Sequence, residues 1–162
     1  MARLTAEHRF SAPRSAVEHA IVDPAFYEQL RLPDVAAPEV LSSRTAGSTS
    51  HVELRMAYTG RLDPVGQRVV GDRQIAWIQR IELDVDAHRG VLRVELDGQR
   101  ERVQCRADMT FAEDDDATTR SLRGDLSIKV PLVGGLAERK VLPGVLRRLD
   151  LEAEALRAWL AR

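Results

Sequence analysis

Four polar side chains fall in phase with apolar stripes: His8, Tyr58, Gln79 and Cys105. A mostly apolar pocket orients its ligand with a few such placed groups. An imidazole is suited to proton transfer, a phenol or amide to hydrogen bonding and a thiolate to nucleophilic attack. Buried polar groups are also routinely satisfied by backbone or by one another, and the structural role is favoured for each of the four. His8 has no evident partner carboxylate and reads as a core histidine. Cys105 lies mid-strand among apolar residues, where burial raises a thiol pKa and makes it inert. Trp77 and Tyr58 either present an N–H and an O–H to a pocket or pack as plain core. Met56 and Met109 suit an adaptable wall, although gap filling is the commoner use of methionine.

The patterns that mark defined chemistry are missing. There is no His-Glu-x-x-His, no Gly-x-Ser-x-Gly and no Gly-x-Gly-x-x-Gly after a strand. Gly134-Gly135 lacks the Lys and Ser/Thr of a phosphate loop and reads as a backbone turn into a helix. One Cys and four scattered His give neither a disulfide nor a zinc pattern. The expectation is therefore no catalytic residue, no metal and no cofactor. Lys and Arg number 24 against 25 Asp and Glu, and aromatics are 4% of the 162 residues, so neither a basic footprint nor stacking platforms for nucleic acid are available. No apolar run approaches the roughly 20 residues of a membrane span, and the first residues lack a signal-peptide core, so a cytoplasmic location without membrane insertion is expected. Lys129 and Lys140 are the only lysines among many arginines, a bias associated with GC-rich bacterial coding.

The elements that position these residues are legible as periodicities. Leu4, Ala6, His8 and Phe10 share one strand face, and Val52, Leu54, Met56 and Tyr58 another, the latter following a turn at Thr45-Ala46-Gly47-Ser48 from a strand near Val40. Ile75, Trp77, Gln79, Ile81, Leu83 and Val85 share a face, as do Leu92, Val94 and Leu96. Asp97-Gly98 reads as a tight turn before Val103, Cys105, Ala107, Met109 and Phe111. A solvated turn at Glu113–Asp116 then leads to Leu122, Leu126, Ile128 and Val130. Helices are expected after Pro13, with Ser15-x-x-Glu18 as an alternative capping box, after Asp23-Pro24, and weakly between Asp63 and Val70. The long helix starts near Leu136 and carries Leu142, Leu146, Leu149, Ala153, Leu156 and Leu160 at spacings of four and three. Its Arg139-Lys140 and Arg147-Arg148 pairs read as a solvated face with Glu138, Asp150 and Glu152. No repeat or composition shift divides residues 1–162 into more than one domain.

This order, with Phe10-Ser11-Ala12-Pro13, Asp23-Pro24-Ala25-Phe26 and the run from Val130-Pro131-Leu132 to Glu138, resembles the START-like superfamily, which also holds birch-pollen-allergen-like proteins and polyketide cyclases. The final segment is most similar to an uncharacterised, mainly actinobacterial branch. The resemblance implies an α+β helix-grip fold: a curved antiparallel sheet of about seven strands wrapped around the C-terminal helix, with two short helices after the first strand. It also implies a cavity for an apolar small molecule, lipid-like or polyketide-like. Its walls would come from Met56, Tyr58, Trp77, Gln79, Ile81, Val94, Cys105, Met109, Leu146 and Leu149. The alternatives are a cyclase- or hydratase-like enzyme using two of His8, Tyr58 and Gln79, or a protein-interaction module. Analogy of fold alone does not decide among them.

Overall fold

The computed structural model describes residues 1–162. The chain starts with strand β1 (Ala2–Phe10) and two short helices, α1 (Arg14–Ile21) and α2 (Pro24–Gln29). Two strands follow, β2 (Glu39–Ala46) and β3 (Thr49–Ala57), and then helix α3 (Pro64–Val70). The remaining strands are β4 (Ala76–Asp84), β5 (Arg89–Leu96), β6 (Val103–Asp114) and β7 (Ala117–Ile128), and helix α4 (Gly134–Leu160) ends the fold. The seven strands form one antiparallel sheet in the order β1-β7-β6-β5-β4-β3-β2. The run β2 to β7 is a meander. The link from β1 to β2 carries α1 and α2 from one edge of the sheet to the other.

Period-two alternation builds the core. Leu4, His8 and Phe10 of β1, Val52, Leu54 and Met56 of β3, and Cys105, Ala107, Met109 and Phe111 of β6 are all buried, while their neighbours face outward. Each large side chain so buried contributes about 1.5–3 kcal/mol. Helix α4 covers this face, and Ala137, Leu149, Ala153 and Leu156 are its buried apolar residues. At 27 residues it is about 40 Å long. Pro143 lies inside it and removes one main-chain donor. The middle of the helix around Pro143 is less covered than the turns from Leu149 to Leu156: Val141, Leu142, Val145 and Leu146 remain half-buried. Edge strand β2 is almost wholly exposed and carries a bulge between Val40 and Ser42, a device that blunts pairing with other chains.

Several local details depart from the sequence expectations. Ser15 and Glu18 form no capping box; Pro13 stands at the cap of α1, and Glu18 is buried. Asp23 and Asp63 do cap α2 and α3, accepting from Ala25 N and Gly66 N. Asp97-Gly98 is not a two-residue hairpin loop. Six residues link β5 to β6 through two successive turns, Gln99 N to Leu96 O and Arg102 N to Gln99 O, and Gly98 takes φ 77° in the first. Helix α4 starts at Gly134, earlier than its leucine stripe implies. Strand β7 starts at Ala117, which turns Thr118 and Arg120 into the interior.

The close pairing of β7 with β6 depends on a missing side chain. A Cβ at Gly124 would lie 1.8 Å from the Arg106 carbonyl oxygen and 2.5 Å from Ala107 Cα, both backbone atoms of the adjacent strand. Gly124→Ala is expected to cost about 3 kcal/mol or more in urea unfolding, because backbone cannot swing aside. Gly135→Ala, with nothing within 4 Å of the added atom, is the control and is expected to be neutral or stabilising by about 0.5 kcal/mol.

Candidate functional site

Two hydrogen-bonded groups lie between the sheet and α4. The first centres on Arg148, whose guanidinium donates to Gln79 Oε1 at 2.8 Å and to Glu152 Oε2 at 3.2 Å. The same guanidinium sits 5.6 Å from the Trp77 ring centroid, within cation–π range. Gln79 is 1% exposed, the Glu152 side chain is also buried, and the Arg148 side chain is partly exposed at 13%. Trp77 and Gln79 are two apart on β4 and share its inner face.

The second group runs from surface to interior. Asp150, on the outside of α4, bonds His8 Nε2 at 2.8 Å, and Arg120 Nη2 bonds His8 Nδ1 at 3.0 Å. A guanidinium can only donate, so Nδ1 accepts and the Nε2–H donates to Asp150: His8 is a neutral imidazole. Burial is the main force holding its pKa below the usual 6.5, reinforced by Arg120 and opposed by Asp150. Arg120 is 5% exposed, with no carboxylate within ion-pair distance. Burial pulls its pKa down, and Glu152 and Tyr27 partly offset that. Tyr27 donates to the Ile21 carbonyl at 2.6 Å, and burial pushes its phenol well above the ordinary range.

The residues singled out in the sequence separate into three places. Met56, Ile81, Cys105, Met109 and Leu149 are deep core. Trp77, Val94 and Leu146 are half-buried and pack against that core, and Gln79 is buried opposite Val94 in the sheet. Tyr58 lies beyond β3 in an isolated bridge to Val35, and its hydroxyl donates to the Arg61 carbonyl at 3.2 Å, away from both polar groups. Burial pushes the Cys105 thiol up, as expected of an inert cysteine.

The solvated-face reading of α4 needs correction. Arg148 and Glu152 do pair, but in the interior; Glu138 is buried, accepting from Ile128 N and bridging to the Met1 amine; and Asp150 serves His8. His8 therefore has the carboxylate partner that the sequence did not reveal. Sequence reasoning also missed Arg120, although it is in phase with Leu122 and Leu126, and Glu152, which shares the stripe of Leu149 and Leu156. Glu18 was missed as well; it accepts from His88 at 2.7 Å and ties α1 to the β4–β5 turn. Two surface depressions lie outside the grip. One of about 680 Å³ covers the outer face of β1, β6 and β7, among Arg3, Arg106, Asp108, Arg123 and Lys129. One of about 250 Å³ lies beside Phe10 and Arg157.

A curved seven-strand antiparallel sheet closed on one long C-terminal helix, with short helices after its first strand, is the helix-grip fold of START-like proteins. Similar solved structures include the Zhui aromatase/cyclase from Streptomyces sp. R1128, with TM-score 0.68, 16% identity and coverage of 99% of this chain and 93% of that one. The protein TTHA0849 from Thermus thermophilus gives TM-score 0.67 at 16% identity, covering 98% and 97%. A START superfamily protein from Mycobacterium smegmatis gives TM-score 0.61 at 15% identity, covering 99% and 98%. At these identities the likeness is one of fold. Residues 5–160 match the family described as Protein of unknown function (DUF2505), and the chain belongs to that family. No curated protein matches it.

Two solution measurements follow from the site. Folded His8 resists protonation below its ordinary pKa, whereas the unfolded chain takes up the proton there, so its contribution to stability is complete above pH 6.5 and declines as pH falls toward the lower folded value. Urea midpoints from about pH 7.5 to about pH 5 are expected to show this decline, and His8→Gln to flatten it. Native protein is expected to react with an aromatic disulfide reagent at Cys105 roughly a hundredfold more slowly than urea-unfolded protein.

Proposed function

We propose that this protein binds and carries an apolar small molecule, lipid-like or polyketide-like, between the sheet and α4. The observation that supports this reading most is an apolar rim left half in water beside a buried polar group. Trp77 of β4, Val94 of β5 and Leu146 of α4 belong to it, together with Val141 and Leu142 of α4 and Leu62 just before α3, which packs against α4. Met56, Ile81, Cys105, Met109 and Leu149 would form the floor. An apolar rim with a few oriented polar groups is the usual chemistry of a small-molecule site.

The enzymatic alternative needs two of His8, Tyr58 and Gln79 to act on one substrate. Their hydrogen bonds lead to three different sets of partners: Asp150 and Arg120 for His8, the Arg61 carbonyl for Tyr58, and Arg148 for Gln79. The interaction-module alternative has less support from the surface, since of the exposed large apolar residues Leu41 and Val85 lie on separate segments and only Met1, Leu132 and Leu136 fall near one another, at the start of α4.

Native mass spectrometry of the protein after exposure to an actinobacterial lipid and metabolite extract tests the reading. A discrete adduct that disappears on denaturation is expected, and Val94→Trp, which fills the rim, is expected to abolish it while shifting Tm by only a few degrees. Absence of any adduct on folded wild-type protein, together with no binding of defined apolar ligands in titration calorimetry, would overturn the proposal.

A further inference from the structure

The interior of the grip is out of balance in one direction. Three buried donor atoms on the inner face have no acceptor: Trp77 Nε1, Gln79 Nε2 and Arg120 Nε. The two buried acceptors without a donor, Glu18 Oε2 and Gln99 Oε1, belong to α1 and to the β5–β6 connection. Charge leans the same way, because two guanidiniums, that of buried Arg120 and that of Arg148, whose side chain is 13% exposed, share the single carboxylate of Glu152. A buried polar group without a partner costs about 1–3 kcal/mol, and a buried charge without a counter-charge costs more. The chain therefore maintains unused donors and positive charge in a place otherwise built from apolar side chains.

Two of the unused donors are close together. Trp77 and Gln79 project from the same face of β4, and the Arg148 guanidinium lies against both, 2.8 Å from Gln79 Oε1 and 5.6 Å from the indole centroid. Gln79 gives its oxygen to Arg148, which leaves its NH₂ directed elsewhere with nothing to meet. Val94, half-buried, is the cross-strand partner of Gln79, and Trp77 is itself half-buried and apolar over most of its surface.

We infer that the small molecule held in the grip carries a carboxylate, seated on Gln79 Nε2 and Trp77 Nε1 beside Arg148, with its apolar body along the rim. The inference rests on the small-molecule reading above and specifies its chemistry. Two carboxylate oxygens match two free N–H donors, and one negative charge balances the interior. A hydroxyl would leave a donor and the charge unmet, and a dianion would add repulsion against Glu152. Hydrogen bonds from these donors to an ionised group are the strong kind.

Titration calorimetry with decanoate and 2-naphthoate against their methyl esters tests this, with native mass spectrometry for the sparingly soluble esters. At least one acid is expected to bind about tenfold or more tightly than its ester. The better acid shows whether the body is a chain or a ring. Gln79→Glu keeps the shape and supplies the carboxylate from the protein itself, against Arg148. It is expected to raise the Tm of the unliganded protein, to weaken acid binding by about tenfold or more, and to leave ester binding within about threefold. Equal binding of acid and ester in wild type and variant would overturn the carboxylate inference and leave the small-molecule reading standing. So would an adduct from the extract that has no acidic group, whereas an adduct bearing a carboxylate supports the inference. No binding of any of the four probes and no adduct would overturn both.

Discussion

Seven strands joined side by side satisfy their own backbone, but they leave a whole face of apolar side chains that water must not reach. In this chain only α4 is long enough to cover that face, and the rest of the architecture follows from the covering. The sheet must curl, and β7 lies so close to β6 that a side chain at Gly124 would strike its backbone. The curl must close on the helix, so β1 lies at the edge beside β7 and under α4, while α1 packs against the same helix. The strand at the opposite edge receives less cover, and β2 is correspondingly polar.

A covering helix of this kind also decides where charge can go. Arg148 and Glu152 are one turn apart on α4 and neutralise each other as they enter the interior, and the Gln79 amide takes up a further guanidinium donor. Arg120 has no such companion on its own strand. Its nearest hydrogen-bonding acceptor is an imidazole whose other nitrogen is tied to a carboxylate at the surface, so a chain of polar contacts leads from solvent through Asp150 and His8 to a buried cation. Such an arrangement is costly for a protein that only needs to fold, since apolar residues of similar size are often as stable or more so.

The strands were legible because each buries one face, so the alternation of β1, β3, β5 and β6 is written directly in residue type. The stripe of α4 was legible for the same reason at a different period. The polar interior was not, because an isolated Arg or Glu reads as solvent-facing unless its phase is tested against neighbours. Arg120 is hidden because the apolar stripe of β7 is visible only from Leu122 onward, and Glu152 because Ala153 beside it is the more obvious core position. His8 was placed inward correctly, yet its partners stand 142 and 112 positions away, beyond any local pattern. Tyr58 shows the opposite case: the alternation of β3 continues through it in sequence, but the strand ends at Ala57.

The pairing of β1 with β7 has a kinetic side. His8 meets Arg120 across 112 positions, and the whole register from Ala2 against Leu126 to Phe10 against Thr118 joins the first strand to the last. During synthesis the first strand has no sheet to join until the meander β2 to β7 has emerged, and loop closure must be completed before any of its contacts offset the entropy. The hairpins of the meander are local and can assemble early, whereas β1 and α4 are the late, long-range pieces that close the grip together. A newly made chain thus passes through a stage in which the apolar concave face is formed but uncovered, the stage at which it is most vulnerable to association with other chains.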